Sequence, residues 1–392
     1  MPTKGKDGFY HSKVVPAPGV KPVYFRARTL REFNQRRQQI IQDYRTGRSG
    51  KNMAFVDLAL EWWNVIRLPG VKASTAATQR SYLKVHILDV FPPQQLARAV
   101  RYKDLQQCVD RMAGMSKSYV NQIIGMLKGI CRYGLSQDAM DADYSTALRL
   151  PRVAKSEQRS ALTADQAAAV RSALSSDPVG IALALQYYCG LRCGESLALR
   201  WGDVNFSAAR LHVVVQYNKT TRTITDLKNE QSERYVDMPD DLVALLYPLR
   251  GLPGIYVCTG SLQPYTYGAF KYHFVRLLLR LGFAHPNENY EKARDKKHKT
   301  TGQLSVPFNP NYYTCDFTPH NLRHNYATAL YRNQVVPEFA MKLLGHKSYD
   351  TTMRIYTDIK NMLDDAVSLD PYLPPALEKV ANKLQSRRIG AF

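Results

Sequence analysis

The stretch "FTPHNLRHNYAT", residues 317–328, places two histidines and an arginine within five positions. Thr318 followed by Pro319 is a favourable N-cap and N1 pair, so the sequence predicts that a helix begins there. His320 and Arg323 are three residues apart and share one face of this helix, close to the positive end of its dipole. A basic pair beside free backbone N–H groups is typical of an anion site. The simpler interpretation, favoured for this stretch alone, is a capping histidine and a solvated arginine.

A second stretch, "YYCGLRCGESLALRW" (187–201), changes that balance. An apolar helix is predicted to end at Gly190, and Arg192 lies in the turn before a helix that carries Glu195. Arginine between two apolar segments is costly to bury unless it meets an anion, and its planar fork fits a phosphate bidentately. The alternative is an Arg192–Glu195 ion pair across one helical turn, and the two interpretations carry equal weight.

The third stretch is "AMKLLGHKSYDTTMRIYTDIK", residues 340–360. Gly345 is predicted to stop a helix, and His346 follows it directly. Tyr356 comes ten residues after that histidine, on a further helix. Two residues are candidate caps of that helix: Ser348 and Asp350. The chain has 25 tyrosines, so any one of them is more often a packing residue than a nucleophile, and two neighbours compete with Tyr356: Tyr331 and Tyr349.

The composition points to a polyanion as the partner. The 392 residues include 54 Lys+Arg and 33 Asp+Glu, which leaves a formal net charge of +21. A surplus of this size is typical of proteins that bind nucleic acid or an anionic membrane. No apolar run approaches the roughly 20 residues that cross a bilayer, and the start "MPTKGKDGFYHSK" lacks the apolar core of a signal peptide. Nucleic acid is therefore favoured over a membrane.

The six cysteines form no CxxC pair and no Cys/His cluster with ligand spacing. This pattern suits a reducing cytosol, where thiols act as small apolar side chains. A structural zinc site is not expected.

Composition and periodicity divide the chain into four parts. The first is basic and predicts two strands and a helix capped by Thr29, followed by a linker. The second has helical periodicity throughout, and the third mixes helices with a strand-rich middle. A Pro-rich joint and one short amphipathic helix form the fourth. The predicted boundaries are 1–50, 51–155, 156–368 and 369–392.

Four fragments occur in a fixed order: "GLRCGE", "HNLRH", "LLGHKS" and "IYT". Each alone is weak, but the ordered set resembles the tyrosine recombinase (phage integrase) family. The resemblance covers residues 160–368 strongly and 53–150 more loosely, as a core DNA-binding domain. Residues 1–50 resemble the strand–strand–helix arm-binding modules of integrases from phages and conjugative transposons.

The resemblance implies a fold of several domains, mostly α with α+β parts. An all-helical core-binding domain would precede a catalytic domain built from helices and a small antiparallel sheet. A small N-terminal strand–strand–helix module would stand before both. The two larger domains are expected to form a clamp around duplex DNA.

The resemblance also assigns roles to residues. Arg192 and Arg323 would clamp the non-bridging oxygens of the scissile phosphate, and Tyr356 would be the nucleophile. His320 and His346 would complete the pocket, with Glu195 supporting Arg192. The family places a lysine on a β-hairpin between the arginines. Within "LKNEQSERYVDMP" that residue is Lys228; the alternative is Lys219 in "NKTT".

Elementary chemistry agrees with these roles. Two arginines can stabilise the charge on two non-bridging oxygens. The phenol of Tyr356 is protonated at neutral pH and needs a base or a strong positive field, for which His320 is the better candidate. Lys228 on a hairpin could protonate the leaving 5′ oxygen. Because the covalent phosphotyrosine keeps the bond energy, neither ATP nor a metal nor another cofactor is expected.

The resulting expectation is a site-specific DNA recombinase, the integrase of a mobile element. It would act as a homo-tetramer on double-stranded DNA through a Holliday junction, with a DNA-bending or excision protein as a further candidate partner. The expected compartment is the cytoplasm of a bacterial host, at the nucleoid. Two alternatives remain open: a type IB topoisomerase and a DNA-binding protein that cuts nothing. His320 argues against the topoisomerase, because such enzymes typically carry a lysine at that position.

Three further side-chain groups have simpler interpretations. The basic run "RDKKHK" (294–299) is taken as part of a polar loop that contacts DNA phosphates. Trp62 and Trp63 are predicted to belong to a helical core rather than to stack on bases. His324 is placed behind the pocket as a packing residue.

Overall fold

The computed structural model describes residues 4–5, 7–16, 22–45, 53–154, 161–227, 233–303 and 305–364. The chain forms two compact units, residues 1–157 and 158–392. Lys228 and the predicted tail helix 369–392 lie outside the described residues. The finer division of the chain into four parts remains a prediction.

The first unit begins with an antiparallel hairpin of β1 (Tyr10–Val14) and β2 (Val23–Ala27), in which Tyr10 pairs with Ala27. Helix α1 (Leu30–Arg45) follows, and Thr29 Oγ1 accepts from the Glu32 backbone N–H at 3.1 Å. Both strands and the capped helix agree with the sequence-based expectation. The helix covers one face of the hairpin, where Phe33 meets Phe25 with ring centroids 5.1 Å apart.

The rest of the first unit is helical, as predicted. Its α-helices are α2 (Phe55–Trp62), α3 (Ala73–Leu83), α4 (Tyr102–Asp110) and α5 (Lys117–Ser136). Trp62 and Trp63 are buried in the core of this unit. A Cβ at Gly129 would lie 2.6 Å from the Trp62 ring, so α5 approaches α2 closely only because residue 129 is glycine.

The second unit combines helices with short antiparallel sheets. Its helices are α6 (Ala164–Ala173), α7 (Gly180–Cys189), α8 (Cys193–Ala198), α9 (Asp240–Leu246), α10 (Tyr267–Leu281), α11 (Glu288–Thr301), α12 (Pro319–Arg332), α13 (Pro337–Leu344) and α14 (Tyr349–Asp364). Its strands are β3 (Val204–Asn205), β4 (Arg210–Val213), β5 (Val215–Asn218), β6 (Thr223–Asp226), β7 (Arg234–Asp237), β8 (Ala284–Pro286) and β9 (Tyr313–Cys315). The sheets are β3-β4-β7, β5-β6 and β8-β9, and the first two confirm the predicted strand-rich middle.

One secondary-structure expectation was wrong. The segment around the basic run 294–299 forms α11 instead of a loop. Its N-cap Asn287 accepts from the backbone of Asn289 and Tyr290, and it ends at Gly302 with φ 71°. No residue of α11 is buried. The apolar periodicity that marks most helices is therefore absent, while good helix formers and the cap supply the stability.

Two apolar clusters of the second unit position the candidate site. The larger cluster surrounds α7, and a smaller one lies between α12, α13 and α14. Helix α7 packs on α12 so closely that a Cβ at Gly190 would lie 2.3 Å from the Tyr326 ring. None of the described helices has the length and apolar character needed to cross a membrane.

Candidate active site

The three sequence stretches meet at helix ends. Helix α7 ends at Gly190, whose φ of 61° is left-handed, and α13 ends at Gly345 with φ 62°. Thr318 is the N-cap of α12 and Pro319 its first residue. Ser348 Oγ accepts from the Asp350 N–H at 3.2 Å at the start of α14. These ends agree with the sequence-based expectation, and they bring the carbonyl ends of α7 and α13 next to the two arginines.

Arg192 is the N-cap of α8 and joins it to the end of α13. Its Nη1 donates to Glu195 Oε1 at 2.8 Å, and its Nη2 donates to the Gly345 carbonyl at 2.7 Å. Its backbone N–H donates to Glu195 Oε2 at 2.8 Å. The ion pair considered as an alternative is therefore present. The side chain nevertheless stays 36% exposed, so its remaining N–H groups are accessible to an incoming anion.

Arg323 is buried on α12, and within the described residues its guanidinium donates to two backbone carbonyl groups. Nη1 donates to the Gly190 carbonyl at 2.7 Å, and Nη2 donates to the Leu344 carbonyl. Both acceptors lie at helix C-termini, where the helix dipole is negative. Burial, and then the positive charge of Arg192, lower the pKa of Arg323. A negatively charged ligand between the two guanidinium groups would relieve this repulsion.

Glu195 is bound by a third arginine that sequence reasoning missed. Arg234 on β7 donates from Nη2 to Glu195 Oε2 at 2.8 Å and from Nη1 to Oε1 at 3.2 Å. Its Nε donates to the Leu343 carbonyl at 2.8 Å. Burial alone would raise the pKa of Glu195, but Arg234, followed by Arg192, lowers it to about 2. Glu195 is therefore an anion at neutral pH.

The sequence signal for Arg234 concerns its position on the strand and not the identity of its partner. Along β7 the residues alternate between buried and less buried, and Arg234 shares its face of the strand with the buried Val236. An arginine at an inward position of a strand requires a buried acid, and Glu195 is that acid.

The two predicted histidines differ in environment. His346 Nδ1 lies 2.9 Å from Thr352 Oγ1. Burial, and then the charges of Arg323 and Arg192, lower the pKa of His346 to about 3, so the ring is neutral at pH 7. His320 is exposed in the first turn of α12, with its ring 4.9 Å from that of His324 in an edge-on arrangement. The charge of His320 also lowers the pKa of His346, so the two rings lie within one electrostatic environment.

Tyr356 is buried in the smaller apolar cluster, apart from these contacts. Its hydroxyl donates to the Val335 carbonyl at 3.1 Å, and its ring packs edge-on against Tyr331 at 5.2 Å. Burial raises the pKa of the phenol. The structure thus brings Arg192, Glu195, Arg323 and His346 together and leaves the Tyr356 hydroxyl on a backbone carbonyl.

Lys219, the alternative to Lys228, is among the described residues. Lys219 lies in the turn between β5 and β6, with Nζ 5.5 Å from the centre of the Tyr267 ring. Burial raises the pKa of Cys193 to about 12, and the charge of Lys219 opposes that rise. Lys219 is therefore within electrostatic range of the residue that follows Arg192.

The charges of the cluster suit a tetrahedral oxyanion. Three guanidinium groups (Arg192, Arg234 and Arg323) and one carboxylate (Glu195) leave two positive charges. Within the described ranges, no group of three or more His, Cys, Asp or Glu side chains is arranged to hold a metal ion. The arrangement is chemically suited to bind a phosphate through N–H groups.

Comparison with known proteins finds integrases and tyrosine recombinases that are similar to this chain. Residues 291–362 match the Phage integrase family. The chain is 28% identical over 222 residues to an integrase of Escherichia phage HK022, and the match covers 56% of this chain and 53% of that integrase. The chain thus spans about half the length of this relative. These matches support the tyrosine recombinase (phage integrase) family, the one that the sequence motifs resemble.

Two solved structures share the fold. The Tn1549 transposon integrase in complex with transposon right end DNA has a TM-score of 0.56 at 18% identity, covering 80% of this chain and 99% of that one. A lambda integrase tetramer bound to a Holliday junction has a TM-score of 0.52 at 19% identity, covering 90% and 93%. These matches support the expected fold of mostly helical domains with small antiparallel sheets.

Proposed function

We propose that this chain is a site-specific DNA recombinase of a mobile element, which cuts and rejoins strands through a covalent 3′-phosphotyrosine. The observation that carries the proposal is the convergence of Arg192 and Arg323 at the carbonyl ends of α7 and α13, with neutral His346 beside them. A DNA phosphate is the ligand that fits two guanidinium groups and the +21 charge of the chain.

The cluster carries the right charge for the reaction. A phosphodiester has one negative charge, and a second develops on its oxygens as the pentavalent transition state forms. Two surplus positive charges therefore match the transition state better than the ground state, which is the condition for catalysis. Arg192 and Arg323 would contact the non-bridging oxygens. Arg234 would pair with Glu195, so that this carboxylate does not neutralise the positive charges of both Arg192 and Arg323.

Tyr356 would act as the nucleophile after leaving its buried position. The bond from its hydroxyl to the Val335 carbonyl must break before the oxygen can reach a phosphorus atom. In the reaction the Tyr356 Oη–P bond forms, the P–O5′ bond breaks, and the phenol proton passes to His320. Lys228, or Lys219 in its place, would protonate the 5′ oxygen. Rejoining reverses these steps with the 5′ hydroxyl of a partner strand.

The working assembly is proposed to be a homo-tetramer on two duplexes joined by a Holliday junction. The lambda integrase structure of the same fold has this assembly and supports the proposal. A DNA-bending or excision protein is a further proposed partner, and the proposed compartment is the bacterial cytoplasm at the nucleoid. Residues 1–50 are proposed to bind DNA outside the crossover.

The test uses a nicked suicide substrate. Its sequence is taken from the two ends of the mobile element, which flank the gene. Wild-type protein should form a denaturant-resistant protein–DNA adduct through its 3′ phosphate, whereas Tyr356→Phe should form none. Tyr331→Phe is the matched control, because it removes a neighbouring hydroxyl and leaves the Tyr356 phenol. An adduct that persists in Tyr356→Phe would show that the nucleophile is another residue.

Two further measurements, plasmid relaxation and binding to the cognate site, distinguish the alternatives. Relaxation of supercoiled plasmids that lack the site would support a type IB topoisomerase. Tight binding to the cognate site without any cleavage by the wild type would support a non-catalytic DNA-binding protein.

A further inference from the structure

Thr352 is a fully buried polar residue next to His346, and the sequence-based site did not include it. Its Oγ1 lies 2.9 Å from His346 Nδ1, and its relative exposure is 0%. On α14 it precedes Tyr356 by four residues, so both side chains lie on the same helix face, one turn apart. The hydrogen bond therefore connects His346 directly to the helix that carries the proposed nucleophile.

The direction of this hydrogen bond follows from the surroundings of the hydroxyl. In the described part of the chain, His346 Nδ1 is the one hydrogen-bond partner of Thr352 Oγ1. A hydroxyl carries one proton that it must donate, and a buried donor left without an acceptor is costly. If His346 donated from Nδ1, the Thr352 proton would have no acceptor. If Thr352 donates, both atoms are satisfied.

We propose that Thr352 is a positioning residue. Its hydroxyl donates a hydrogen bond to His346 Nδ1 and so holds the ring as the neutral tautomer with its proton on Nε2. The two ring nitrogens point in divergent directions, so Nε2 faces away from Thr352. No hydrogen-bond partner of Nε2 is present among the described residues. A second group that fixes which nitrogen of a histidine carries the proton is a general device at functional sites.

The tautomer decides what His346 does to an anion. With the proton on Nε2, the neutral ring offers an N–H to a phosphate oxygen and adds no charge to the cluster. With the proton on Nδ1, Nε2 would present a lone pair to the same oxygen and repel it. Only this consequence for the phosphate rests on the proposed function; the tautomer itself does not.

The first experiment needs no DNA. Nitrogen-15 NMR of histidine-labelled full-length protein distinguishes a protonated ring nitrogen from an unprotonated one, and His346→Gln assigns the signals. We expect Nε2 of His346 to be protonated and Nδ1 to be unprotonated in the wild type and in Thr352→Ser. Thr352→Val, which has the same shape and no hydroxyl, should lose the single tautomer. A protonated Nδ1 in the wild type would overturn the proposal, whether or not any variant folds.

The second experiment measures single-turnover cleavage of the suicide substrate together with DNA affinity. Thr352→Val should cleave about 10- to 100-fold more slowly at unchanged affinity, and Thr352→Ser should recover most of the rate. Thr351→Val is the matched control, since it removes the neighbouring hydroxyl, and it should cleave like the wild type. A Thr352→Val protein with wild-type cleavage would overturn the role of the hydroxyl. A wild type that keeps the NMR signature but never cleaves DNA would instead refute the proposed function.

Discussion

Glu195 bridges two arginines that come from different elements: Arg192 Nη1 donates to its Oε1 and Arg234 Nη2 donates to its Oε2, each at 2.8 Å. The carboxylate is 1% exposed and Arg234 is 6% exposed, while Arg192 is open to solvent on one side. Arg234 thus has its charge compensated in the interior, and Arg192 keeps N–H groups for a ligand. The buried pair of Glu195 and Arg234 thus fixes the position of the solvent-accessible Arg192.

Arg234→Met should destabilise the second unit. The substitution leaves Glu195 buried with one arginine fewer and leaves the Leu343 carbonyl without its donor, and breaking a buried pair in this way costs about 3–5 kcal/mol. Denaturant unfolding measures the loss. Arg210→Met is the control, because its pair with Asp237 is much more exposed and should contribute no more than about 1 kcal/mol. Equal losses of unfolding free energy in both variants would show that the buried Arg234–Glu195 pair stabilises the unit no more than the exposed Arg210–Asp237 pair.

Glu195 should also give the second unit an acid-sensitive component of stability. Its pKa in the folded protein is about 2, below its ordinary value of 4.5. The stabilisation is therefore complete above about pH 4.5 and is lost as the pH falls towards 2. The difference in unfolding free energy between the wild type and Glu195→Gln should shrink by about 1.4 kcal/mol per pH unit in that window. A difference that stays constant with pH would contradict the low pKa.

Local signals in the sequence predicted the ends of the helices that carry the candidate site residues. Gly190 and Gly345 adopt the left-handed conformation that glycine favours, and Thr318, Pro319 and Ser348 occupy the predicted cap positions. Each depends on backbone chemistry within a few residues, which a sequence records directly.

Long-range partners and side-chain states could not be predicted in this way. Arg234 binds Glu195 across 39 positions of sequence, and the Tyr356 hydroxyl binds a carbonyl 21 positions away. Helix α11 was missed because it buries no residue and so shows no apolar periodicity. The family resemblance supplied the site residues, but it gave no indication that the phenol is buried.

The N-terminal hairpin and α1 should unfold together with the helices of the first unit. Arg36 on α1 donates to both oxygens of Asp57 on α2 at 3.0 Å, and to the carbonyls of Arg26 and Pro93. Burial raises the pKa of Asp57 to about 7, and Arg36 opposes that rise. Without Arg36 the carboxylate would lose the partner that offsets its burial.

Arg36→Met should therefore lower the free energy of unfolding of the first unit by about 3 kcal/mol. Hydrogen exchange of the α1 amides should become faster. Arg37→Met is the matched control, because the neighbouring side chain is exposed and should change stability by no more than about 0.5 kcal/mol. Unchanged exchange in α1 after Arg36→Met would mean that the N-terminal module is held by other contacts.

The lysines of α11 should contribute to DNA affinity through charge alone. Lys296 and Lys299 are exposed, and α11 is a basic helix with no buried residue, so its polar surface is available to phosphates. Each phosphate contact lowers the slope of log K against log salt concentration by about 0.9. The double variant Lys296→Ala/Lys299→Ala should therefore have a slope about 2 units less steep, with the same loss of affinity on cognate and unrelated duplexes.

Thr300→Ala alters the same helix surface without changing its charge and should leave the slope intact. If the double variant lowers affinity equally at every salt concentration, or only on the cognate site, α11 does not bind phosphates in the proposed way.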